Sequence, residues 1–192
     1  MSEIAAAAEQ LQQLYRNFYT QGKPDEATHQ QLLQIYKNPS NIEIMIHLAK
    51  NTNDLNVKKL AYTGITAMTK QNKKYPDPYN SGLIDQLLSL IPIAPDVKYQ
   101  YTIIDRIGNF ILTSSYDEEV QSEIYLLLAQ NLTEMIGNSN ALPGVFYLWK
   151  DLICFPVIYE NYGSYIMETL LPIAFHAFQG ESSDVRISSL EF

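Results

Sequence analysis

An all-α array of stacked helix pairs is the fold this sequence predicts, on three observations. Apolar residues recur at helical spacing, breakers interrupt them at short intervals, and one local word returns at a near-constant period. The clearest stripe is Val57, Leu60, Ala61, Gly64, Ile65 and Met68, the i, i+3, i+4, i+7 pattern of a helix with one buried face. Asp54 stands just upstream, where a carboxylate can accept from the free N–H groups of a first turn. Forty residues on, Asp96 precedes a second stripe of Val97, Tyr101, Ile104, Ile107, Gly108 and Ile111. Val57-Lys58 matches Val97-Lys98, and Tyr62-Thr63 nearly matches Tyr101-Thr102. A third word, Asp184-Val185-Arg186, starts 88 residues after Asp96, two steps of 44. The helix expected between them carries Leu142, Val145, Phe146, Trp149, Leu152 and Ile153, opened by Pro143 at a first-turn position that tolerates proline.

Each of these helices has a helical predecessor. The expected partners run from Ile4 to Phe18, Glu26 to Tyr36, Ile42 to Lys50, Gly82 to Ile91, Glu118 to Met135 and Tyr162 to Phe178. Between them stand Gly22-Lys23-Pro24, Asn38-Pro39-Ser40, Tyr75-Pro76-Asp77-Pro78, Pro92 with Pro95, Gly137-Asn138-Ser139-Asn140 and Gly180-Glu181-Ser182-Ser183, all turn-forming clusters. No period-two alternation is sustained, although Gly144–Trp149 and Cys154–Tyr159 could be short strands on composition alone. Helix–turn–helix units of ~40 residues mark HEAT or armadillo-like arrays, and an Asp-x-Val-Lys/Arg word opening the second helix is HEAT-like. A lone helix pair cannot bury its apolar face, so neighbours stack into a right-handed α-α superhelix. The expectation is one array over residues 1–192, a HEAT-repeat right-handed solenoid of about five helix pairs.

Composition narrows the function classes. The chain is 46% hydrophobic, enough for an ordered core. Cys154 is the one cysteine, so no internal disulfide can form and a reducing compartment is expected. The N-terminal MSEIAAAAEQ lacks the basic flank and apolar run of a secretory signal. The most apolar uncharged stretch, Thr169 to Gly180, has 12 residues and contains Pro172 and His176, whereas a membrane span needs ~20. The net charge of −8 is uneven: residues 1–106 hold 11 Lys/Arg against 10 acids, residues 107–192 only Lys150 and Arg186 against 11. An acidic half argues against direct nucleic-acid binding and suits basic partner proteins, or simply solubility.

Catalytic chemistry finds no support in the residues. His29, His47 and His176 fall on separate predicted helices without metal-ligand spacing, so no metal site is expected. Cys154, between Ile153 and Phe155-Pro156, reads as a buried inert thiol. No Gly-rich phosphate cradle occurs, and Glu118 and Glu119 after Asp117 suit a helix start. No enzyme activity and no cofactor are expected. Binding residues follow from the helical wheel instead. Lys58, Lys59, Tyr62 and Thr66 lie off the first stripe, and Lys98, Tyr99, Asp105, Arg106 and Asn109 off the second. Tyr and Arg are the types that dominate protein interfaces; solvated helix faces without a partner would carry the same residues.

Several of these segments resemble the N-terminal repeats of the importin-β (karyopherin-β) nuclear transport receptors, a likeness placed at about residues 1–75 and continued by further repeats over 76–192. The residues that carry it are Leu14-Tyr15-Arg16-Asn17-Phe18-Tyr19 ending the first helix, Gln31-Leu32-Leu33-Gln34-Ile35-Tyr36, the turn at Asn38-Pro39, and Asn56-Val57-Lys58-Lys59-Leu60-Ala61. Tyr159 to Phe178, with Tyr162, Tyr165, Met167-Glu168-Thr169 and the internal Pro172, is similar to an outer helix of importin-β. It precedes Asp184-Val185-Arg186 and Ser189-Leu190-Glu191-Phe192, similar to an inner helix. Members of that family are several times longer, so the resemblance implies a fragment, with apolar surface exposed at Leu190 and Phe192. It implies binding of the GTPase Ran in its GTP form through the inner-helix row just named, in cytoplasm and nucleus. It further implies a pocket for Phe-Gly nucleoporin repeats between outer helices, for which Ile124, Tyr125, Leu128, Tyr165, Ile166 and Thr169 are the apolar groups at hand. The same six suit the seams between repeats. The alternative function is a general HEAT-repeat interaction scaffold, of trafficking or phosphatase-regulatory type.

Overall fold

The computed structural model describes residues 3–20, 26–70, 75, 77–180 and 182–192. Among the described residues every regular element is helical and no strand occurs. The expected break at Gly22-Lys23-Pro24 lies outside them, as do Pro76 and Glu181 of two further breakers. The chain forms two compact units, residues 1–90 and 91–192.

The first unit contains α1 (Glu3–Thr20), α2 (Glu26–Lys37), α3 (Ile42–Asn51), α4 (Leu55–Thr69) and the short α5 (Leu83–Leu88). Asn38 and Asp54 start helical segments by direct capping. The Asn38 side chain accepts from the Ser40 N–H, and Asp54 Oδ1 accepts from Asn56 N–H at 3.0 Å and Val57 N–H at 3.3 Å. These bonds satisfy donors that a first turn leaves open. α1 packs against α3 and α4, α2 against α4, and α3 against α4. Their common core is built on one glycine. At Gly64 a Cβ would lie 2.9 Å from Tyr36 Cε1 and 3.1 Å from Met45 Sδ. The missing side chain lets Tyr15, Tyr36 and Met45 converge over α4, with 2.9 Å between the two tyrosine hydroxyls. The stripe read from the sequence is buried at Val57, Ala61, Gly64, Ile65 and Met68, while Leu60 is half-buried.

The second unit contains α6 (Val97–Thr113), α7 (Glu118–Met135), α8 (Leu142–Leu152), α9 (Pro156–Tyr165), α10 (Leu171–Gly180) and α11 (Ser183–Glu191). α8 is its hub, touching α6, α7 and α11; α7 also packs on α9, and α10 on α11. Accordingly α8 is buried nearly all round, from Leu142 through Phe146 and Trp149 to Leu152. Both segments that could have been strands are helical: Gly144–Trp149 lies inside α8, and residues 156–159 open α9. Pro143 and Pro156 fall in the first turns of these helices, where a fixed φ assists and the missing N–H costs nothing. α9 therefore begins at Pro156, six residues before the expected Tyr162. A π-helical turn, Ile166–Leu170, joins α9 to α10, with the Leu171 N–H donating to Ile166 O. Its cause is Pro172, which cannot donate to a carbonyl four residues back and whose ring would crowd it.

Four further expectations differ from the structure. Asp96 precedes α6 but makes no side-chain cap bond, whereas Asp117 caps α7 through the Val120 N–H at 2.9 Å. On α6 the buried face is Gln100, Ile103, Ile104, Ile107, Phe110 and Ile111, so Val97, Tyr101 and Gly108 of the expected stripe lie outside it. Cys154 is exposed instead of buried, because it falls in the short turn between α8 and α9. Leu190 is exposed as expected, but Phe192 is half-buried, its ring packing on Phe146 at 5.9 Å between centroids.

Candidate protein-binding surface

A polar seam joins α6, α8 and α11. Ser188, buried on α11, donates to the Asp184 carbonyl at 2.8 Å, so its oxygen is left to accept from the Tyr101 hydroxyl of α6. The Tyr101 ring stacks on Tyr147 of α8, with 4.4 Å between centroids. The Tyr147 hydroxyl donates to Asp105 at 3.2 Å, and Lys150 Nζ sits 4.4 Å over the Tyr147 ring. Partial burial, then the neighbouring Asp105 carboxylate, raise the Tyr147 pKa, so the phenol stays protonated and available as a donor.

Of the residues expected to bind a partner on α6, Asp105 takes part in this seam through its bond from Tyr147. Lys98 and Asp105 are exposed; Tyr99, Arg106 and Asn109 are half-buried. The Asn109 amide donates to the Asp105 carbonyl at 2.7 Å. Arg106 is unusual: its Nε is buried and has no hydrogen-bond partner among the described residues. In the first unit, Lys58, Lys59 and Thr66 are half-buried on α4. Tyr62 has to be removed from any exposed face. It is fully buried, and its hydroxyl donates to the Leu90 carbonyl at 2.6 Å. Its amphipathic body packs inward while its polar tip ties down the segment after α5, a pairing that a helical wheel cannot reveal.

The six residues expected to form an apolar pocket are not brought together as one. Ile124 and Leu128 are buried within α7, and Ile166 is buried in the π-helical turn. Tyr165 is half-buried beside Trp149, 6.0 Å between centroids, and Thr169 is half-buried. The open crevice between α7 and α9 is lined instead by Glu123, Leu126, Leu127, Gln130, Asn161 and Tyr162. Those positions are offset around α7 from the ones chosen, which belong to the buried stripe. Of the six, Tyr125 opens on a neighbouring crevice, with Phe155, Pro156 and Val157 beside it and its ring stacked 4.0 Å from that of Phe155, and Tyr125 and Leu128 both line the cavity among α6, α7 and α8.

A further feature was missed by sequence reasoning. A cavity of about 480 Å³ opens among α6, α7 and α8, walled by Ile107, Leu112, Tyr125, Leu148, Leu152 and Phe155. Asp105, Arg106, Gly108, Asn109 and Asp151 also line it. Gly108 in an otherwise apolar stripe was the available signal. Among the described residues no cluster of His, Cys, Asp and Glu could hold a metal ion, and no helix is long and apolar enough to cross a membrane. Comparison with known protein families, with curated proteins and with solved structures finds no match.

Proposed function

We propose that this chain is a protein-binding scaffold of the HEAT-type solenoid class, working as the N-terminal part of a nuclear transport receptor that binds Ran in its GTP form. The observation that carries this reading is the order of packing. Within the second unit α8 packs on α6 before it and α11 after it, while α7 packs on α9, so alternate helices form two rows. That is how a repeat array buries its faces, each pair covering the next. The proposed contacts are Lys98, Tyr99, Asp105, Arg106 and Asn109 of α6, with Tyr147 of α8 bonded to Asp105 and Lys150 over the Tyr147 ring, a mixture of Tyr, Arg and charge suited to an interface. The resemblance of the local words to importin-β repeats supplies the identity of the partner.

On the same reading the crevice at Tyr125, Phe155 and Val157 is the best candidate for Phe-Gly nucleoporin repeats, because it combines exposure with aromatic walls. The acidic second half suits a basic cargo protein. The protein would then work in cytoplasm and nucleus. Titration of the chain with Ran loaded with GTP and with GDP tests the proposal. Preference for the GTP form supports it, and indifference to nucleotide favours a general scaffold of trafficking or phosphatase-regulatory type.

A further inference from the structure

We infer that the cavity among α6, α7 and α8 is a docking groove for one large apolar side chain flanked by lysine or arginine, carried on a segment of a partner protein. Three independent features converge there. The first is Gly108. It sits inside a regular helix, and Gly82 is the one described residue with positive φ, so no turn geometry requires a glycine at 108. A Cβ at Gly108 would meet nothing within 4 Å, so no close packing requires it either. A glycine in a helix interior weakens the helix relative to alanine. What it does here is leave open the space above α6, one turn from Leu112, which is 82% exposed.

The second feature is Arg106. The Arg106 side chain lines the cavity, and its Nε, buried beneath, has no hydrogen-bond partner among the described residues; a buried donor in that state calls for a partner. A main-chain carbonyl of an incoming segment would meet that need. The third is charge. Asp105 and Asp151 are exposed at the cavity, and neither forms an ion pair among the described residues. Residues 107–192 carry 11 acids against Lys150 and Arg186. Apolar walls therefore select the side chain, and the two carboxylates, which outnumber Arg106 in the lining, select cationic neighbours beside it. The volume, about 480 Å³, lies within the roughly 300–1,000 Å³ of ordinary ligand clefts. The groove shares Arg106 with the GTPase surface proposed above but does not rest on that reading, since its test contains no GTPase.

The probe is a capped peptide, Lys-Lys-Phe-Lys-Lys, titrated into the full chain and followed by the backbone amide signals of Gly108, Leu112 and Asp151. Two control peptides replace the phenylalanine with alanine or the lysines with glutamate. The first peptide should move these signals and bind at least roughly fivefold more tightly than either control. Gly108→Leu should raise the Tm, because it removes a helical glycine, and should abolish binding by filling the groove. Asp151→Lys, at an exposed position, should weaken binding without changing the Tm. Four results would each overturn the inference. They are equal binding of the alanine peptide, tighter binding of the glutamate peptide, undiminished binding to both variants, and concentration-dependent movement of the same signals without peptide. The last would mean that a second copy of the chain covers the groove.

Discussion

Gln100 on α6 holds the first turn of α8 through Gly144: its Oε1 accepts the Gly144 N–H at 2.8 Å, and its Nε2 donates to the Asn140 carbonyl. Gln100 is buried, and a Cβ on Gly144 would fall 2.8 Å from that same Oε1 and 2.9 Å from Ile91 Cγ2. One side chain thus satisfies an open helix-start donor and a loop carbonyl, and the glycine is what allows it to come close. Gln100→Leu keeps approximate volume but strands both groups, so it should cost about 2–3 kcal/mol in denaturant unfolding. Gly144→Ala should cost about 1–3 kcal/mol by overpacking. The double variant should cost less than the two separate losses together, because both break one contact.

Two tyrosines with buried hydroxyls should respond differently to loss of that group. Tyr62 donates to the Leu90 carbonyl, so Tyr62→Phe leaves a buried acceptor unmet and should cost about 1–2 kcal/mol. Tyr165 Oη is buried without a hydrogen-bond partner among the described residues, so Tyr165→Phe should be neutral within about 0.5 kcal/mol or stabilising. Unfolding followed by the fluorescence of Trp149, the one tryptophan, measures both.

Alkaline pH should unfold the protein through its buried phenols. Burial raises the pKa of Tyr15, Tyr36 and Tyr62 above the ordinary tyrosine value of 10.0. A raised folded pKa means that the fold favours the protonated phenol, whereas the unfolded chain ionises at its ordinary value. Their contribution is therefore complete below pH 10.0 and is lost as pH rises through the raised values. Stability measured from pH 8 to pH 11 should be level at first, as far as these groups act, and then fall; Tyr62→Phe should reduce the slope of the fall.

Much of the helical layout was legible because amphipathic stripes and breakers are local signals. Val57, Ala61, Ile65 and Met68 face inward as their spacing required, and Asp54 caps α4 as its position suggested. What escaped depended on contacts distant in sequence. Tyr62 looked like a surface residue because a wheel sees its ring off the stripe but not the Leu90 carbonyl that receives its hydroxyl. Gly64 and Gly108 look alike in the sequence, yet the first is fixed by Tyr36 and Met45 and the second faces open space. Cys154 was misplaced because apolar neighbours imply burial only inside an element, and it lies in a turn. On α7 the buried Ile124 and Leu128 were separated from the crevice-lining Leu126 and Leu127 only by the position of α9.

The most direct test of the proposed function is a calorimetric titration of the chain and of its Arg106→Glu variant with Ran in each nucleotide state. Arg106 is half-buried on α6 and its Nε has no hydrogen-bond partner among the described residues, and the proposed surface uses its guanidinium as a donor. The chain should prefer the GTP form, since the γ-phosphate orders the switch segments that a receptor meets. Arg106→Glu should weaken that binding by about 2–5 kcal/mol while circular dichroism shows unchanged helix content. Equal affinity for the two nucleotide forms, or no binding to either at any attainable concentration, would contradict the transport-receptor account.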